Sequence, residues 1–472
     1  MNHLTIILNG IIIFISLVIW AIIPACYDET IMCITLFMSL LSVLSYIVTI
    51  KNDKKMRGQY LRTSYVFFIG FLIVFFQKNV DLVLHYINKS DDVFASASVI
   101  CSCALFSLIG LSSFVIGSSV AISKTTPYRK VKMTTIPTRF VIFQKWLFVI
   151  FVAIYIVYNM SKILSGSFIY NEDTMAESAG SLSNYSVVMI QVLIFTILCS
   201  NVITLRNVKN KASLLTFIRM NGLMFLVPLI IYLSLVFMTG DRGPILTTVL
   251  AYVITYVIAT QKKIKFVTLF LAIFIGSTVL SIIGTVRKYN NLLTVHEMLS
   301  YNNQGNEESI LPVTKELADS YNTFTYSVAK VPCQHDYFYG MMKLRDLGYS
   351  VPFLYRAIPF IYSKKEYENG STSYCTYLIQ GLNRTYGNGS SLLADIYLDF
   401  GLIGIIFVMM LLGFLIVHID NILFHSTSPY WLVTSVACFS YSIYLSRATL
   451  TTPLYYIVPA LIIIYSKNFF KQ

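Results

Sequence analysis

Long apolar segments recur along almost the whole of this 472-residue chain. A helix needs about 20 predominantly apolar residues to cross a bilayer. Segments that meet this requirement cover residues 4–24, 31–50, 64–86, 93–122, 140–160, 184–204, 221–239, 244–261, 265–286, 392–418, 430–447 and 453–466. Because 56% of the residues are hydrophobic and only 12% are charged, we expect an all-α, polytopic membrane protein with about twelve transmembrane helices. The first segment lacks a basic start and a small-residue cleavage pattern, so we expect it to remain as a span.

Positively charged residues cluster after every second apolar segment. The clusters that carry most of the net charge of +13 lie in residues 51–62, 124–139, 206–219, 262–265 and 467–471. Loops rich in Lys and Arg remain on the cytoplasmic side of a membrane. The pattern therefore predicts that both termini are cytoplasmic, and it attributes the positive charge to membrane orientation rather than to nucleic-acid binding.

One long hydrophilic segment, residues 287–391, interrupts the apolar pattern on the side opposite to the basic clusters. It separates nine predicted spans in residues 1–286 from three more in residues 392–472. A connection of this length is expected to carry structure of its own. We therefore divide the chain into a first helical part, a large outer loop with short helices, and a second helical part.

The outer loop has two regions of helical spacing. Apolar residues three or four apart predict an amphipathic helix over residues 307–331, and residues 337–347 resemble a second helix. Residues 352–362 are aromatic and interrupted by proline, which favours a position at the membrane interface. Residues 364–391, rich in Gly, Asn, Ser and Thr, are predicted to form a loop.

Arginines collect at the predicted outer boundary, where the orientation rule does not expect them. The set consists of Arg242, Arg287, Arg356, Arg384 and Arg447. A guanidinium group binds phosphate through paired hydrogen bonds and stays charged at any working pH. We expect these side chains to bind a lipid phosphate or diphosphate. The alternative is that some of them pair with Asp241, Asp395 or a lipid headgroup.

Few residues at the outer side could act as a base. Asp395 lies where the loop meets the tenth span, four residues before Asp399 and on the same helical face. His335 lies within the outer loop. Both are catalytic candidates, with a structural ion pair or a solvated histidine as the alternatives. No metal-binding motif accompanies them, and we expect neither a metal nor another cofactor.

Two smaller groups of residues need interpretation. Lys78, Asp81 and His85 share one face of the third span, which predicts an ion pair between helices or, alternatively, a proton relay. Cys333 and Cys375 both fall in the outer loop, where they could form a disulfide or remain free thiols.

Two short motifs carry a resemblance to a known family. The turn Thr239–Pro244, with sequence TGDRGP, places Asp241 and Arg242 side by side at the start of a span, which suggests that Asp241 supports the arginine. Residues 389–404 contain Gly-Ser, the acidic Asp395, Tyr397 and Phe400-Gly401-x-x-Gly404. Both motifs resemble those of the bacterial O-antigen polysaccharide polymerases, called Wzy, where glutamate more often stands at the position of Asp395.

The resemblance implies an inner-membrane glycosyltransferase of the GT-C class. Its substrates would be undecaprenyl-diphosphate-linked oligosaccharides, joined at the periplasmic face among membrane lipids, and a polysaccharide chain-length regulator is a partner that it leaves open. A ligase for the same lipid-linked sugars would use similar chemistry on another acceptor. A flippase is the third interpretation, but a large loop on one face and the lack of matched broken helices favour a transferase.

Overall fold

A computed structural model describes residues 2–470 with interruptions. The residues within this range that are not described are 24–25, 54–55, 57–58, 88–93, 125–135, 165–181, 209–212, 240, 242, 263, 265–308, 312–313, 351–353, 385–386 and 427. The predicted ninth span, residues 265–286, lies outside the described residues, as do Arg242 and Arg287. What is described is helical and contains no β-strand, which confirms the expected all-α class.

The first helices run through the membrane part of the chain. They are α1 Asn2–Ile22, α2 Glu29–Lys51, α3 Thr63–Val83, α4 Ile100–Lys124, α5 Thr138–Leu164, α6 Leu182–Val208, α7 Leu214–Met220, α8 Leu223–Thr239 and α9 Gly243–Thr260. Short helices follow in the predicted outer loop, residues 287–391, which is called the outer segment from here on. They are α10 Lys315–Ala318, α11 Tyr321–Lys330, α12 Met341–Ser350, α13 Leu354–Ala357 and α14 Ser371–Gln380. The last three are α15 Leu392–His425, α16 Pro429–Leu445 and α17 Leu454–Ser466.

Eight of the described helices are long and apolar enough to cross a membrane, namely α1 to α6, α9 and α15. The pair α7 and α8 is bent by 99° and would supply a ninth crossing. The bend falls at Gly222, whose φ of +74° is accessible to glycine without steric cost. This geometry confirms a polytopic membrane protein, while the count of twelve spans stays a prediction.

Both helical regions predicted for the outer segment contain helices, but with other bounds, and the predicted loop was wrong in part. The predicted helix over residues 307–331 is divided, where it is described, into α10 and α11. The second helix begins at Met341 rather than at residue 337. A helix, α14, occupies part of the predicted loop 364–391. In each case contacts with other parts of the chain decide the structure, and local spacing does not report them.

The described chain divides into two compact units. The first comprises residues 1–127, 303–420 and 442–452, and the second comprises residues 128–302, 421–441 and 453–472. The outer segment from residue 303 onward therefore belongs to the first unit, together with the first four helices and most of α15. The division at residues 286 and 391, which follows membrane topology, stays a prediction.

In the first unit, α4 packs against α1, α2 and α3. It also approaches α15 closely. A Cβ atom on Gly117 would lie 1.8 Å from the carbonyl oxygen of Met410, and one on Gly413 would lie 2.2 Å from that of Phe114. Small residues at such a crossing let two helix backbones come into contact within a bilayer. These glycines therefore fix α15, whose amino-terminal end carries the candidate site.

In the second unit, α6 is the central helix and packs against α5, α9 and α17. Its Arg206 donates hydrogen bonds to the carbonyl oxygens of Ile258, Phe424 and Ser426, at distances of 2.7 to 3.4 Å. These carbonyls lie at or just beyond the carboxyl ends of α9 and α15, where backbone oxygens have no partner within the helix. Arg206 thus joins three helix ends at the predicted cytoplasmic side.

Candidate active site

The first helical turns of α15 are separated from the rest by a break at Gly401. Its φ of +61° and ψ of −155° are not helical. The carbonyl oxygens of Leu398 and Asp399 instead accept hydrogen bonds, both 2.9 Å long, from the backbone N–H groups of Phe338 and Tyr339. The break therefore exposes two backbone acceptors, and the outer segment binds them.

Glycine is required at this break for two reasons. The backbone conformation of Gly401 lies in a region that is essentially restricted to glycine. A Cβ atom there would also lie 3.0 Å from the ring of Tyr337. At Gly404 a Cβ atom would lie 2.3 Å from the Cβ of Phe400, so this glycine makes room for the phenylalanine. The Phe-Gly-x-x-Gly motif is thus explained by the geometry of the break.

Asp399 holds the beginning of α12. Its carboxylate accepts hydrogen bonds from the backbone N–H groups of Gly340, Met342 and Lys343, at 3.1 to 3.3 Å. The N–H groups at a helix start have no partner within the helix, and the helix dipole favours a negative charge there. Asp399 therefore fixes α12 to the first turns of α15.

Lys343 connects the two aspartates of α15. Its Nζ lies 2.5 Å from an oxygen of Asp395 and 3.1 Å from an oxygen of Asp399. Burial lowers the pKa of Lys343, but the charges of the two carboxylates outweigh burial and leave that pKa above its ordinary value. The lysine is therefore charged at neutral pH and compensates two fully buried carboxylates.

Asp395 makes further contacts that enclose its carboxylate. The hydroxyl of Ser371, the first residue of α14, donates to one oxygen. The backbone N–H of Leu450 donates to the other at 2.8 Å. Asp395 thus joins α12, α14, α15 and the turn between α16 and α17. That turn contains Arg447, one of the candidate phosphate ligands.

A third carboxyl, that of Asp346, lies beside this ion network. It is buried on α12, and the Ser371 hydroxyl approaches it at 3.4 Å. Burial and the charge of Asp395 raise the pKa of Asp346 to about 8, although Lys343 acts in the opposite direction. The Asp346 carboxyl is therefore mostly protonated at neutral pH.

The raised pKa of Asp346 predicts how stability depends on pH. In the unfolded chain this carboxyl loses its proton near pH 4, whereas in the folded protein it keeps the proton until about pH 8. Between these values the folded state binds more protons, so its stability falls as pH rises, and the fall ends above pH 8. Asp346→Asn should remove this contribution. As pH rises from 5 to 8, the melting temperature of the variant in detergent should increase relative to that of the wild type.

The matched control for that experiment is Asp28→Asn, since Asp28 only caps the start of α2 through the N–H groups of Thr30 and Ile31. The difference between its melting temperature and that of the wild type should stay constant over the same pH range. Equal pH profiles for the wild type and Asp346→Asn would contradict the assignment of a retained proton to Asp346.

His335 lies in the outer segment with its ring orientation fixed. Its Nδ1 is 2.5 Å from the carbonyl oxygen of Asp336. Since a carbonyl oxygen only accepts, Nδ1 carries the proton in this contact and Nε2 is left as the basic nitrogen. The ring stacks on Phe338 at 4.5 Å between centroids and meets the edge of Tyr374 at 5.6 Å. His335 is half-exposed, unlike Asp395.

The described arginines of the candidate set are not equivalent. The Arg447 side chain is 38% exposed and lies 3.8 Å from Glu316, which is longer than a hydrogen bond. Arg384 is half-buried in the bend after α14. Arg356 lies in α13, and its side chain is outside the described residues. The structure therefore places Arg447 in the same turn as Leu450, whose N–H contacts Asp395.

Asp241 lies at the start of α9. Its carboxylate accepts a hydrogen bond of 2.9 Å from the backbone N–H of Gly243, the first residue of the helix. This is the contact of a residue that caps a helix start. The acidic residue of the TGDRGP turn thus stabilises the beginning of α9, while its support of Arg242, which lies outside the described residues, stays a prediction.

The charged residues of α3 hold the outer segment. Lys78 is buried and pairs with Asp319 at 2.7 Å, beyond the end of α10. Asp81 accepts hydrogen bonds from the Ser309 hydroxyl at 2.8 Å and from the Ile310 N–H at 2.9 Å. Lys78 therefore does pair with another part of the chain.

The remaining member of that set, His85, lies beyond the end of α3. Its φ is +61°, its side chain is exposed, and it lies 4.0 Å from Glu29. A relay through Lys78, Asp81 and His85 would need the three side chains on one helical face. Because His85 has left the helix, the interpretation as a continuous relay is wrong.

Cys333 and Cys375 are both free thiols. Cys333 is exposed, whereas Cys375 is buried with its sulfur 3.7 Å from the Ser390 hydroxyl and 3.9 Å from that of Ser327. The alternative of two free thiols therefore describes the structure.

Three residues of the network, Lys343, Asp346 and Ser371, were not predicted from the sequence. Lys343 and Asp346 lie among charged residues of a short helix, a pattern that usually marks a solvated face. Only the proximity of α12 to the two aspartates of α15 reveals their role. The one available signal was the pair of acidic residues four apart at a membrane boundary, which requires a compensating cation.

Comparison with known proteins identifies the family of the chain. The family model for O-antigen polysaccharide polymerase Wzy matches residues 5–472, which is nearly the whole chain. No curated protein and no solved structure matches it. Proteins of this family are multi-pass membrane polymerases of the glycosyltransferase type that act on lipid-linked oligosaccharide repeat units. On this match and its helical membrane architecture, the chain belongs to the O-antigen polysaccharide polymerase family, Wzy.

Proposed function

We propose that this protein joins undecaprenyl-diphosphate-linked oligosaccharide repeat units at the periplasmic face of the bacterial inner membrane, without a metal ion. A growing chain on undecaprenyl diphosphate is the donor, and the terminal sugar of a single lipid-linked unit is the acceptor. The observation that carries the proposal is the buried network of Lys343, Asp395 and Asp399. The network holds α12, which follows the half-exposed His335 in the chain, and it holds the turn that carries the half-exposed Arg447.

The reaction transfers a glycosyl group. The acceptor hydroxyl oxygen forms a bond to the anomeric carbon of the donor, while the bond from that carbon to the diphosphate oxygen breaks. The bonding electrons leave with the diphosphate, and the hydroxyl proton passes to a base. An enzyme therefore needs a base at the acceptor and positive charge at the leaving group.

His335 is the better candidate for the base. A base must come within hydrogen-bond reach of the hydroxyl, and His335 is half-exposed whereas the Asp395 carboxylate is fully enclosed. The contact with Asp336 leaves Nε2 able to accept the proton. We assign Asp395 to positioning, because it holds the turn of Arg447 through the N–H of Leu450. Loss of either residue should reduce activity.

The arginines supply the positive charge. Arg242, Arg287, Arg356, Arg384 and Arg447 all fall on the predicted periplasmic side. The long contact of Arg447 with Glu316 is solvent-exposed, and such pairs contribute little free energy, so a diphosphate could replace the glutamate. Guanidinium groups near an apolar boundary stabilise a diphosphate as its charge develops. This arrangement supports transfer without a metal ion.

The basic loops support the proposed orientation. Clusters at residues 51–62 and 467–471 follow spans by the same alternation as the clusters between them. This alternation supports cytoplasmic termini and a periplasmic position for residues 287–391. The same orientation would place the lipid diphosphate of a flipped repeat unit on the side of His335 and Arg447.

The test is restoration of polymer in a strain that lacks this gene. The wild-type copy should restore a ladder of surface polysaccharide on a gel, and His335→Ala should restore only single repeat units, since loss of a general base costs about 10² to 10⁴ in rate. Arg242→Ala and Arg287→Ala should each abolish polymer as well. Immunoblots of membrane fractions report whether each variant is present.

His425→Ala is the matched control, because its Nδ1 also contacts a backbone carbonyl, that of Asn421 at 2.9 Å, at the other end of α15. It should give a normal ladder. A ladder from His335→Ala would exclude His335 as the base, and ladders from both arginine variants would exclude the diphosphate role. If deletion instead traps the lipid-linked unit inside the cell, the protein is a flippase. If single units never reach their final acceptor, it is a ligase.

A further inference from the structure

Aromatic side chains gather beside His335 on the outer segment. Tyr367 and Tyr377 stack with their ring centroids 4.0 Å apart and their planes within 15°. Tyr374 lies 6.5 Å from the first of these rings and 5.9 Å from the second, and it also contacts His335. Tyr367 and Tyr377 are half-exposed, whereas Tyr374 is buried beneath them. We call Tyr367 and Tyr377 the tyrosine platform.

The backbone that carries Tyr367 is held firmly. The side chain of Asn369 accepts from the N–H of Ser363 at 2.7 Å and donates to its carbonyl at 3.0 Å, which closes the turn around Tyr367. Arg345 on α12 donates to the carbonyl oxygens of Ile361 and Glu368, at 2.8 and 2.5 Å. A surface fixed before its ligand arrives loses little conformational entropy on binding.

Charged groups border the platform. Glu368 accepts from the Ser363 hydroxyl at 2.8 Å and pairs with Lys365 at 3.3 Å, and the Lys365 ammonium lies 6.0 Å from the ring centre of Tyr367. Burial raises the pKa of Glu368, but the hydrogen bond from Ser363 and the charge of Lys365 outweigh it and leave that pKa below its ordinary value. The carboxylate is therefore ionised at neutral pH.

This combination suits a carbohydrate. A sugar ring presents C–H groups on one face, which are attracted to the electron-rich face of an aromatic ring. Its hydroxyl groups lie around the edge, where a carboxylate and an ammonium group can form hydrogen bonds with them. A lipid chain would gain nothing from the charged border and would lose free energy by desolvating it.

We propose that the tyrosine platform is a subsite that binds a sugar ring of the acceptor repeat unit, while a hydroxyl of the terminal sugar faces His335. The inference rests on the proposed function, because only a transferase needs an acceptor beside the base. Tyr374 joins the two parts, because its ring contacts His335 and both platform rings.

The test measures binding without catalysis. The probe is the repeat-unit oligosaccharide released by mild acid from the lipid-linked pool of the same strain. The full chain in nanodiscs should transfer saturation to the sugar protons in NMR spectra. Tyr367→Leu and Tyr377→Leu should each weaken binding, by about tenfold for the loss of a stacked ring. Tyr367→Phe keeps the ring and should bind as the wild type does, as should Phe360→Ala, a control at an exposed ring of the same segment.

A second measurement covers variants that fail to fold. The wild-type protein is labelled with fluorotyrosine, and the fluorine resonance of Tyr367 is identified as the one that is missing from Tyr367→Phe. This resonance should shift when the oligosaccharide is added. In polymerisation assays the platform variants should raise KM for the acceptor with kcat nearly unchanged. His335→Ala should lose turnover and retain binding.

These outcomes separate the inference from the proposed function. If Tyr367→Leu and Tyr377→Leu bind the oligosaccharide as the wild type does and the fluorine resonance does not shift, the platform is not a sugar subsite, whatever the ladder shows. If the wild-type gene restores no ladder, the proposed function is wrong, whatever the NMR spectra show.

Discussion

Lys343→Met should destabilise the folded protein by about 3–5 kcal/mol, the usual cost of removing one partner from a buried ion pair. The variant keeps the length of the side chain but leaves the carboxylates of Asp395 and Asp399 buried without the cation that contacts both. The protein would have to admit water or protonate a carboxyl, and either change costs free energy. Unfolding of the purified protein by titration with sodium dodecyl sulfate would measure the loss.

Two further variants make this measurement decisive. Lys124→Met removes an exposed lysine at the end of α4 and should change stability by less than about 0.5 kcal/mol. The triple variant Lys343→Met, Asp395→Asn and Asp399→Asn removes all three charges and should recover much of the lost stability. If Lys343→Met behaves like Lys124→Met, the buried network does not hold α12. If the triple variant is no better than the single variant, uncompensated charge is not the cause.

The same network shows how far sequence reasoning reaches. Periodicity places Asp395 and Asp399 on one face of a helix, because residues four apart are neighbours on a helix surface. It also places the long helix α15 near its observed position, since a run of apolar residues has few alternatives to a span. Both features are local, and local features are encoded in adjacent residues.

The residue that pairs with those two aspartates could not be predicted from the sequence. Lys343 is 52 residues from Asp395 along the chain, and nothing near it distinguishes a buried lysine from a solvated one. The prediction of a base at Asp395 assumed an accessible carboxylate, and the contacts with Ser371 and Leu450 enclose it instead. Tertiary contacts decide accessibility, and a single sequence does not report them.

The outer segment illustrates the same limit. Apolar spacing over residues 307–331 is compatible with one helix, yet Lys78 of α3 pairs with Asp319 at the junction between α10 and α11. This tertiary contact falls at the turn between the two short helices, where Asp319 and Ser320 keep backbone angles of the helical region. At Ser371–Gln380 the prediction was a loop, because the residues are polar, but the structure has a helix. The hydrogen bond from Ser371 to Asp395 holds the start of that helix.

Gly401→Ala should lower stability by about 2–4 kcal/mol and reduce polymer formation, because it adds two costs at the break in α15. Alanine at φ +61° and ψ −155° is strained by about 1–3 kcal/mol. Its Cβ atom would also lie 3.0 Å from the Tyr337 ring, which would have to move. Displacing that ring disturbs the hydrogen bonds from Phe338 and Tyr339 to α15, and with them the position of His335. Unfolding by detergent titration and the polysaccharide ladder would measure the two effects.

Two other glycines of the same unit separate the two costs. Gly381 has nearly the same backbone conformation, with φ +78° and ψ −148°, but no atom lies within 4 Å of the place where a Cβ atom would stand, so Gly381→Ala should show the strain alone. Gly387 has open space and no positive φ, so Gly387→Ala should cost almost nothing. The order of stability should therefore be Gly387→Ala, then Gly381→Ala, then Gly401→Ala. If Gly401→Ala and Gly381→Ala lose the same stability, the contact with Tyr337 does not contribute to the loss at Gly401. If Gly401→Ala loses no more stability than Gly387→Ala, a residue with a side chain fits the break in α15 as well as glycine does. The break would then not be the feature that holds the outer segment.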